Sequence, residues 1–383
     1  MSKNICIVGP IGDFGGREIE AGFIAHALSQ NATVTILTTT NCSKTSQIFD
    51  FIDRNQFLSL YSLIYKNFYY IKFLAFLSYM KDKCKNEPHY YVNNSFSKRT
   101  GFHQTAKKVL LETIDKYDLI FICAQLSSTY MREIVEYGFK HHIPIVYRTS
   151  NTIKESDSQC KKWLEKVSIF IHHSNSNAKR LHFLNNNNYS IIDQCCVEEN
   201  ELLQLKPTSS FNKLLFIGRL SEEKGILELI DFCLRDTTIC LDIIGEGSLS
   251  NSVIEIIKSC KNIKLLGFKK QKALLEHIEN ADVIVISSHE ESGPLVGLEA
   301  MAAARIIIST KVGAMEERLC GLENQFWFSI NDYNSFANLI SDIKKLKKDK
   351  LFEISYKNRM RYCEDYSKST ISEQYKKIVK SLL

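Results

Sequence analysis

The chain has 383 residues, 44% of them hydrophobic and 24% charged, and its formal net charge is +6. These values are typical of a soluble globular protein of two or three domains. The mild basic excess suits an anionic substrate or a membrane surface and does not require nucleic acid as a partner. The sequence contains no uncharged apolar stretch of about 18 residues, so it predicts no transmembrane helix.

Cysteine usage indicates a reducing compartment. The twelve cysteines form no C-x-x-C pair and no His/Cys cluster at zinc spacing; only Cys195 and Cys196 are adjacent. Scattered cysteines in a chain of this length are typical of reduced core residues in the cytosol. The first residues lead directly into a predicted strand, so we expect no secretory signal and a cytoplasmic location.

The chain begins with a strand over 4–8, the loop GPIGDFGG and a helix over 17–29. The loop contains G-x-x-G-x-x-G, which also fits a dinucleotide site. That interpretation needs an acidic residue after the second strand to hold a ribose, but this strand ends in three threonines. The only Y-x-x-x-K, from Tyr79 to Lys83, lies too early for a dehydrogenase catalytic pair.

An aromatic and basic segment follows over 57–85, where FLSLYSLIYKNFYYIKFLAFLSYM precedes KDKCK. Tyrosine, lysine and apolar residues mixed in this way suit a membrane interface, with the rings at headgroup level and the lysines near anionic lipid. The alternative is a helix pair packed within the N-terminal domain. Both interpretations stay open at this point, although the lysines argue against a segment that spans the bilayer.

The remaining chain alternates strands and helices, which indicates two doubly wound α/β domains with parallel sheets. Predicted strands cover 119–123, 143–147, 167–172, 264–267, 282–287 and 305–309, and predicted helices include 105–116, 128–141, 157–166, 271–279 and 369–383. A linker over 198–212 separates the two series.

Two elements of the second series suit phosphate binding. Arg219 and Lys224 lie in one loop after a strand, where two cations can bind a diphosphate and the arginine can do so bidentately. The strand over 282–287 is followed by a loop and by Pro294 at the expected start of a helix. Free N–H groups and the helix dipole favour an anion at such a helix start. Glu291 and Glu299 flank it with the spacing E-x7-E.

The run ESGPLVGLEAMA resembles the E-x7-E signature of retaining glycosyltransferases of the GT-B fold, family 4 (glycosyl transferases group 1). GRLSEEKG and IIGEGSL resemble two further elements of that family, and Gly15-Gly16 matches its Gly-Gly pair. The resemblance covers nearly all of the C-terminal half and, more loosely, the first thirty residues. Residues 45–115 carry no motif that aligns with the family.

The resemblance implies two Rossmann-like domains that face each other across a cleft. An acceptor domain would cover 1–205 and a nucleotide-sugar donor domain 206–365, with the final helix, about 366–383, crossing back to the N-terminal domain. The residues implied as catalytic are Arg219, Lys224 and Glu291. Those implied as donor-binding are Gly15, Gly16, Gly218, Phe268, Pro294, Leu295, Val296 and Glu299, with Glu299 on the ribose hydroxyls and Phe268 near the base. Family members frequently carry a histidine where this chain has YRTSN, so Arg148 becomes the candidate acceptor contact.

These residues predict a retaining glycosyltransferase that moves a sugar from a UDP- or GDP-linked donor to a saccharide acceptor. The sequence contains no D-x-D metal motif, so we expect no metal and no cofactor besides the donor. The aromatic-basic segment and the common uses of the family suggest a lipid-linked acceptor in bacterial surface polysaccharide synthesis (O-antigen, capsule or lipopolysaccharide), with peripheral attachment to the inner face of the plasma membrane. The alternatives are a nicotinamide-dependent nucleotide-sugar epimerase or reductase and a non-catalytic nucleotide-sugar binding subunit.

Overall fold

The computed structural model describes residues 3–185 and 188–383, and the chain divides into two compact units. The first unit comprises Met1–His172, Ala178–Ile192 and Ser372–Leu383; the second comprises His173–Asn177 and Asp193–Ile371. Residues Ser372–Leu383, most of the final helix, therefore belong to the first unit. The Tyr375 ring lies 5.9 Å from that of Phe121 within the first unit.

The first unit is built on a parallel sheet of seven strands in the order β3-β2-β1-β4-β5-β6-β7. Its central strand LIFICA is buried along its whole length, as expected for a parallel strand covered on both faces. The strands are β1 Lys3–Gly9, β2 Ala32–Thr38, β3 Phe57–Ser59, β4 Leu119–Ala124, β5 Ile145–Thr149, β6 Ile169–His172 and β7 Tyr189–Ile191.

The aromatic-basic segment 57–85 forms one short strand and two helices beside this sheet. The chain first adds edge strand β3 to the sheet and then forms two helices interrupted at Phe68, whose backbone is extended (φ −123°, ψ 97°). The helices are α1 Gly16–Leu28, α2 Leu60–Asn67, α3 Tyr69–Lys81, α4 Ser95–Arg99, α5 Phe102–Ile114, α6 Met131–Lys140, α7 Lys161–Leu164 and α8 Asn175–Lys179. The helix predicted over 157–166 is mostly a 3-10 turn, Glu155–Cys160, followed by the short α7.

The second unit has a parallel sheet of five strands in the order β10-β9-β8-β11-β12. Successive residues of β11 and β12 belong to two different hydrophobic clusters, because side chains alternate between the faces of a strand and helices cover both faces. The strands are β8 Lys213–Ile217, β9 Cys240–Ile244, β10 Ile263–Leu265, β11 Val283–Ile286 and β12 Ile306–Ser309. The helices are α9 Glu199–Gln204, α10 Ile226–Arg235, α11 Ser250–Ile257, α12 Gln271–Glu279, α13 Leu295–Ala302, α14 Met315–Leu319, α15 Tyr333–Lys344 and α16 Lys348–Arg361. The final helix, α17 Lys368–Leu382, begins in this unit and continues in the first.

The boundary between the units lies earlier than the sequence predicts. The main part of the second unit begins at Asp193 rather than at residue 206, because Cys196 and Leu202 pack into the same hydrophobic cluster as β11 and α13. No helix in the described part of the chain is both long and apolar enough to cross a membrane.

Candidate functional site

The loops that follow β8, β9 and β10 are joined at one edge of the second sheet. The Gly218 N–H donates to the Ile244 carbonyl at 3.0 Å, and the Gly245 N–H donates to the Gly267 carbonyl at 3.1 Å. A Cβ atom at Gly245 would overlap the Gly218 carbonyl, so only glycine allows this approach. In open α/β sheets the carboxyl edge of the strands is where ligands bind.

Lys224 and Glu291 form an ion pair at this edge, Nζ to Oε1. Their side chains are 22% and 16% exposed, so water screens the pair only in part. The Ser288 hydroxyl donates to the same Glu291 oxygen at 3.0 Å, and the Ser287 hydroxyl donates to the Lys224 carbonyl at 2.8 Å. These contacts join the loop after β8 to the loop after β11. They also hold the Lys224 ammonium in place, with the Glu291 carboxylate as its counter-ion.

Arg219 lies in the same loop as Lys224 but in a different environment. Its side chain is 72% exposed, and its nearest charged partner is Glu223 at 3.9 Å. Exposed pairs of this kind contribute about 0–1 kcal/mol. The guanidinium can therefore leave Glu223 for a stronger anionic ligand at little cost.

The start of α13 is supported by a buried arginine that the sequence did not single out. Arg318 is fully buried and pairs bidentately with Asp193, at 2.7 Å for each bond. Its Nη1 donates to the Pro294 carbonyl at 2.5 Å. A Cβ atom at Gly293 would lie 2.9 Å from the His173 side chain, so this loop is also packed tightly. The first amides of α13, Leu295 and Val296, have no partner within the helix by helix geometry, and the loop before them is held in place.

Glu299 lies on α13 with its carboxylate buried; the residue is 3% exposed. Burial raises the pKa of this carboxyl to about 7, and a hydrogen bond from the Gln271 side chain acts in the opposite direction. Gln271 is the first residue of α12 and donates through Nε2 to Glu299 Oε1. The loop before α12 carries Phe268, which is half exposed.

In the first unit, Gly15 directly precedes α1 and Gly16 is its first residue. Gly15 has φ +141°, and its N–H donates to Gln47 Oε1 at 3.0 Å. A Cβ atom at Gly16 would meet nothing within 4 Å. The buried Glu18 carboxylate accepts the Gly12 N–H at 2.7 Å, so an internal anion already occupies one amide of this loop. The donor-binding role of the two glycines stays a prediction.

The structure argues against Arg148 as an acceptor contact. Arg148 is fully buried in β5 and forms an ion pair with Glu20 of α1, with Nε at 2.5 Å from Glu20 Oε1. Its Nη1 donates to the Ile192 carbonyl at 2.6 Å. A guanidinium enclosed in this way holds α1 and β5 of the first unit together. The neighbouring His172 is also buried, and burial together with the Arg148 charge lowers its pKa to about 3.

Comparison with known families identifies the second unit. Residues 198–361 match the model of the glycosyl transferases group 1 family. This part of the chain is therefore similar to glycosyl transferases group 1 domains. The match contains the Lys224–Glu291 pair, the start of α13 and Glu299, and it agrees with the resemblance to glycosyl transferases group 1.

The curated relatives match only part of their length. The glycosyltransferase MJ1178 of Methanocaldococcus jannaschii is 26% identical over 135 residues, which is 35% of this chain and 38% of that protein. Glycogen synthase of Mycobacterium tuberculosis is 31% identical over 119 residues, 29% of each chain. The lipopolysaccharide 1,2-N-acetylglucosaminetransferase of Salmonella typhimurium is 24% identical over 200 residues, 48% of this chain and 52% of that one.

Solved structures show the fold of the whole chain. Anabaena HepE in complex with UDP and glucose superposes with a TM-score of 0.71 and 14% identity, over 99% of this chain and 100% of that chain. A glycosyltransferase from Rickettsia africae superposes with a TM-score of 0.69 and 16% identity, over 100% and 98% of the two chains. The predicted GT-B fold is confirmed by these similarities.

Proposed function

We propose that this protein is a retaining glycosyltransferase that uses a nucleoside diphosphate sugar, with UDP as the favoured nucleotide. The observation that carries the proposal is the site on the second unit, where the Lys224–Glu291 pair, the start of α13 and Glu299 belong to the loops and the helix beside neighbouring strand ends. The complexes of HepE with UDP and with UDP-glucose support the choice of nucleotide.

The reaction needs neutralisation of a departing diphosphate. The bond from the sugar C1 to the β-phosphate oxygen breaks, the acceptor oxygen bonds to C1 on the same face, and the acceptor proton passes to the leaving phosphate. Negative charge grows on the β-phosphate, and stabilisation of such charge is usually the largest catalytic contribution. We assign this role to Arg219, Lys224 and the amides of Leu295 and Val296, with no metal ion.

The two glutamates serve binding in this proposal. Glu299 accepts the ribose hydroxyls, and Glu291 contacts hydroxyls of the transferred sugar when the diphosphate draws Lys224 away from it. Pro294 fixes the backbone that leads into the amides of α13, and its φ of −63° suits the residue before a helix. Gly218 and Phe268 border the same strand ends, and Phe268 is half exposed where a base could stack on it.

We further propose that the acceptor is lipid-linked and that the protein binds the membrane through α3. One side of this helix exposes a set of large apolar residues, which we name the α3 surface: Tyr69, Phe73, Phe76, Leu77 and Met80. Tyr69 is 84% and Phe73 61% exposed, and the spacing places the residues along one helix face. A contiguous exposed apolar face on a soluble domain marks an interaction site.

Charges around the α3 surface favour an anionic bilayer. Lys66, Lys72, Lys81, Lys83 and Lys85 are all exposed on or beside α3, and juxtamembrane lysines each contribute about 1 kcal/mol at an anionic surface. Two relatives are named as a lipopolysaccharide 1,2-N-acetylglucosaminetransferase of Salmonella typhimurium and an amylovoran biosynthesis glycosyltransferase of Erwinia amylovora. These names support a place in bacterial surface polysaccharide synthesis, such as O-antigen, capsule or lipopolysaccharide, at the cytoplasmic face of the plasma membrane.

The donor assignment is tested by thermal-shift measurements with UDP, GDP and ADP, since a ligand that binds the folded state raises its melting temperature. We expect the largest shift with UDP. Sugar transfer is then followed as UDP release from the responding UDP-sugar, for wild type, Lys224→Ala and Glu299→Ala, with the exposed Lys348→Ala as the matched control. The proposal fails if no nucleoside diphosphate shifts the melting temperature, or if both site variants keep full activity.

Membrane binding is tested by co-sedimentation with vesicles of phosphatidylglycerol and phosphatidylcholine, and with phosphatidylcholine alone. We expect binding to the anionic vesicles that weakens at high salt. The triple variant Tyr69→Ser, Phe73→Ser, Leu77→Ser should lose it. The control carries Phe352→Ser, at an equally apolar exposed position on α16. Equal sedimentation of both variants would exclude the α3 surface as the binding face.

A further inference from the structure

The buried carboxylate of Glu299 is held by a side chain to which neither the family resemblance nor the proposed mechanism assigns a role. Gln271 Nε2 donates to Glu299 Oε1. Gln271 itself is partly exposed, at the first turn of α12, whereas Glu299 is buried on α13. The hydrogen bond therefore joins the surface of the site to its buried acid.

Gln271 is placed by the loop that follows β10. That loop, Gly267–Lys270, is tied to the end of β9 through the Gly245 N–H and the Gly267 carbonyl, and α12 begins directly after it. The same loop carries Phe268, the residue expected near the base. Gln271 thus connects the part of the site expected at the base with the acid expected at the ribose.

The chemistry of the amide suits this position. A carboxylate has about four lone-pair positions on its two oxygens. One N–H of Gln271 uses one of them and fixes the rotation of the carboxylate, which leaves the others for two ribose hydroxyls. A carboxylate at position 271 would repel Glu299, and an ammonium group would neutralise it. A neutral donor is the group that orients the acid and leaves its accepting capacity intact.

We propose that Gln271 is a positioning residue for nucleotide binding: its side-chain amide orients the Glu299 carboxylate toward the two ribose hydroxyls of the donor. This inference rests on the proposed function, because it requires a nucleoside diphosphate in the site. Gln271 acts through Glu299 and needs no contact with the reacting atoms. Gln271 should therefore contribute to the affinity of a nucleotide that carries the ribose hydroxyls and not to that of a nucleotide that lacks them.

The experiment compares UDP with 2′,3′-dideoxyuridine diphosphate by isothermal titration calorimetry on the full chain. A hydrogen bond to a charged group contributes about 1.5–3 kcal/mol, so wild type should prefer UDP by roughly 10- to 100-fold. Gln271→Met has a similar volume and no donor, and it should reduce this preference to a few-fold by weakening UDP alone. Gln271→Asn offers the same amide on a shorter chain and tests whether reach matters. Glu276→Gln, exposed and one turn further along α12, is the control and should keep the wild-type preference.

The outcomes separate the two levels of the proposal. If wild type binds UDP with the preference and Glu299→Gln loses it, the ribose role of Glu299 holds. In that case an unchanged preference in Gln271→Met overturns the positioning role and leaves the proposed function intact. Tighter UDP binding by Gln271→Met also overturns it, because Gln271 would then compete with the ribose. If Gln271→Met weakens the binding of UDP and of the dideoxy analogue equally, the Gln271–Glu299 hydrogen bond has only a structural role. That result also refutes the positioning role. No binding of UDP or GDP by wild type overturns both levels.

Discussion

Glu299→Gln replaces a buried carboxylate with a neutral group of the same shape, and we expect opposite effects on stability and on binding. The Glu299 carboxyl has its pKa raised from 4.5 to about 7 by burial. The folded protein therefore holds a proton that the unfolded chain releases at lower pH. A glutamine keeps the side-chain volume and an oxygen that can accept from Gln271.

The pKa shift sets both the size and the pH range of the stability effect. One pKa unit corresponds to about 1.4 kcal/mol, so the shift corresponds to about 3 kcal/mol as an order of magnitude. Below pH 4.5 the acid is protonated in both states and costs nothing. Between pH 4.5 and about 7 the unfolded chain ionises first, so the wild type loses stability as pH rises. Above pH 7 the loss is constant.

Thermal unfolding of wild type and Glu299→Gln at pH 5, 6 and 8 measures this effect. The variant should match wild type near pH 5 and be more stable at pH 8, by up to about 3 kcal/mol. Glu276→Gln, an exposed acid on α12, should show no such pH-dependent gain. UDP affinity of Glu299→Gln should fall most at pH 8, where the wild-type carboxyl is ionised. A stability difference that does not change with pH would refute the reasoning, and so would a variant less stable than wild type at pH 8.

Three further predictions follow from the remaining contacts. Lys224→Ala should lower the rate of transfer by about 10²–10³-fold because the leaving phosphate loses a cation. The measurement is kcat for UDP release, with Lys348→Ala as the control. Equal rates for wild type and Lys224→Ala would remove Lys224 from the mechanism. Arg148→Met should destabilise the protein by about 3–5 kcal/mol, since it leaves the buried Glu20 carboxylate without its ion-pair partner. In thermal unfolding, the double variant Arg148→Met, Glu20→Gln should recover part of the lost stability. No recovery would contradict an effect specific to this pair. Serine substitutions across the α3 surface should abolish sedimentation with anionic vesicles while the melting temperature with UDP is kept, because those residues are exposed; loss of both would indicate misfolding instead.

The sequence determined the elements of the second sheet and indicated a candidate site on it. The strand over 283–286 is apolar along its whole length, and a parallel strand covered on both faces requires this pattern. The E-x7-E spacing and Pro294 indicated a strand, a loop and a helix start, and the family match includes all of them. These features are local, so composition and spacing within some twenty residues specify them.

Only the tertiary structure decided what each charged side chain contacts. Arg148 looked like an acceptor contact after a strand, but its partner Glu20 lies far away in the sequence. Arg318 carried no motif, although it supports Pro294 and pairs with Asp193. The hydrogen bond from Gln271 to Glu299 could not be predicted from the sequence either. A strand or helix reveals its buried face through its own periodicity, whereas the partner of a buried charge is set by chain segments that meet only when the whole unit folds.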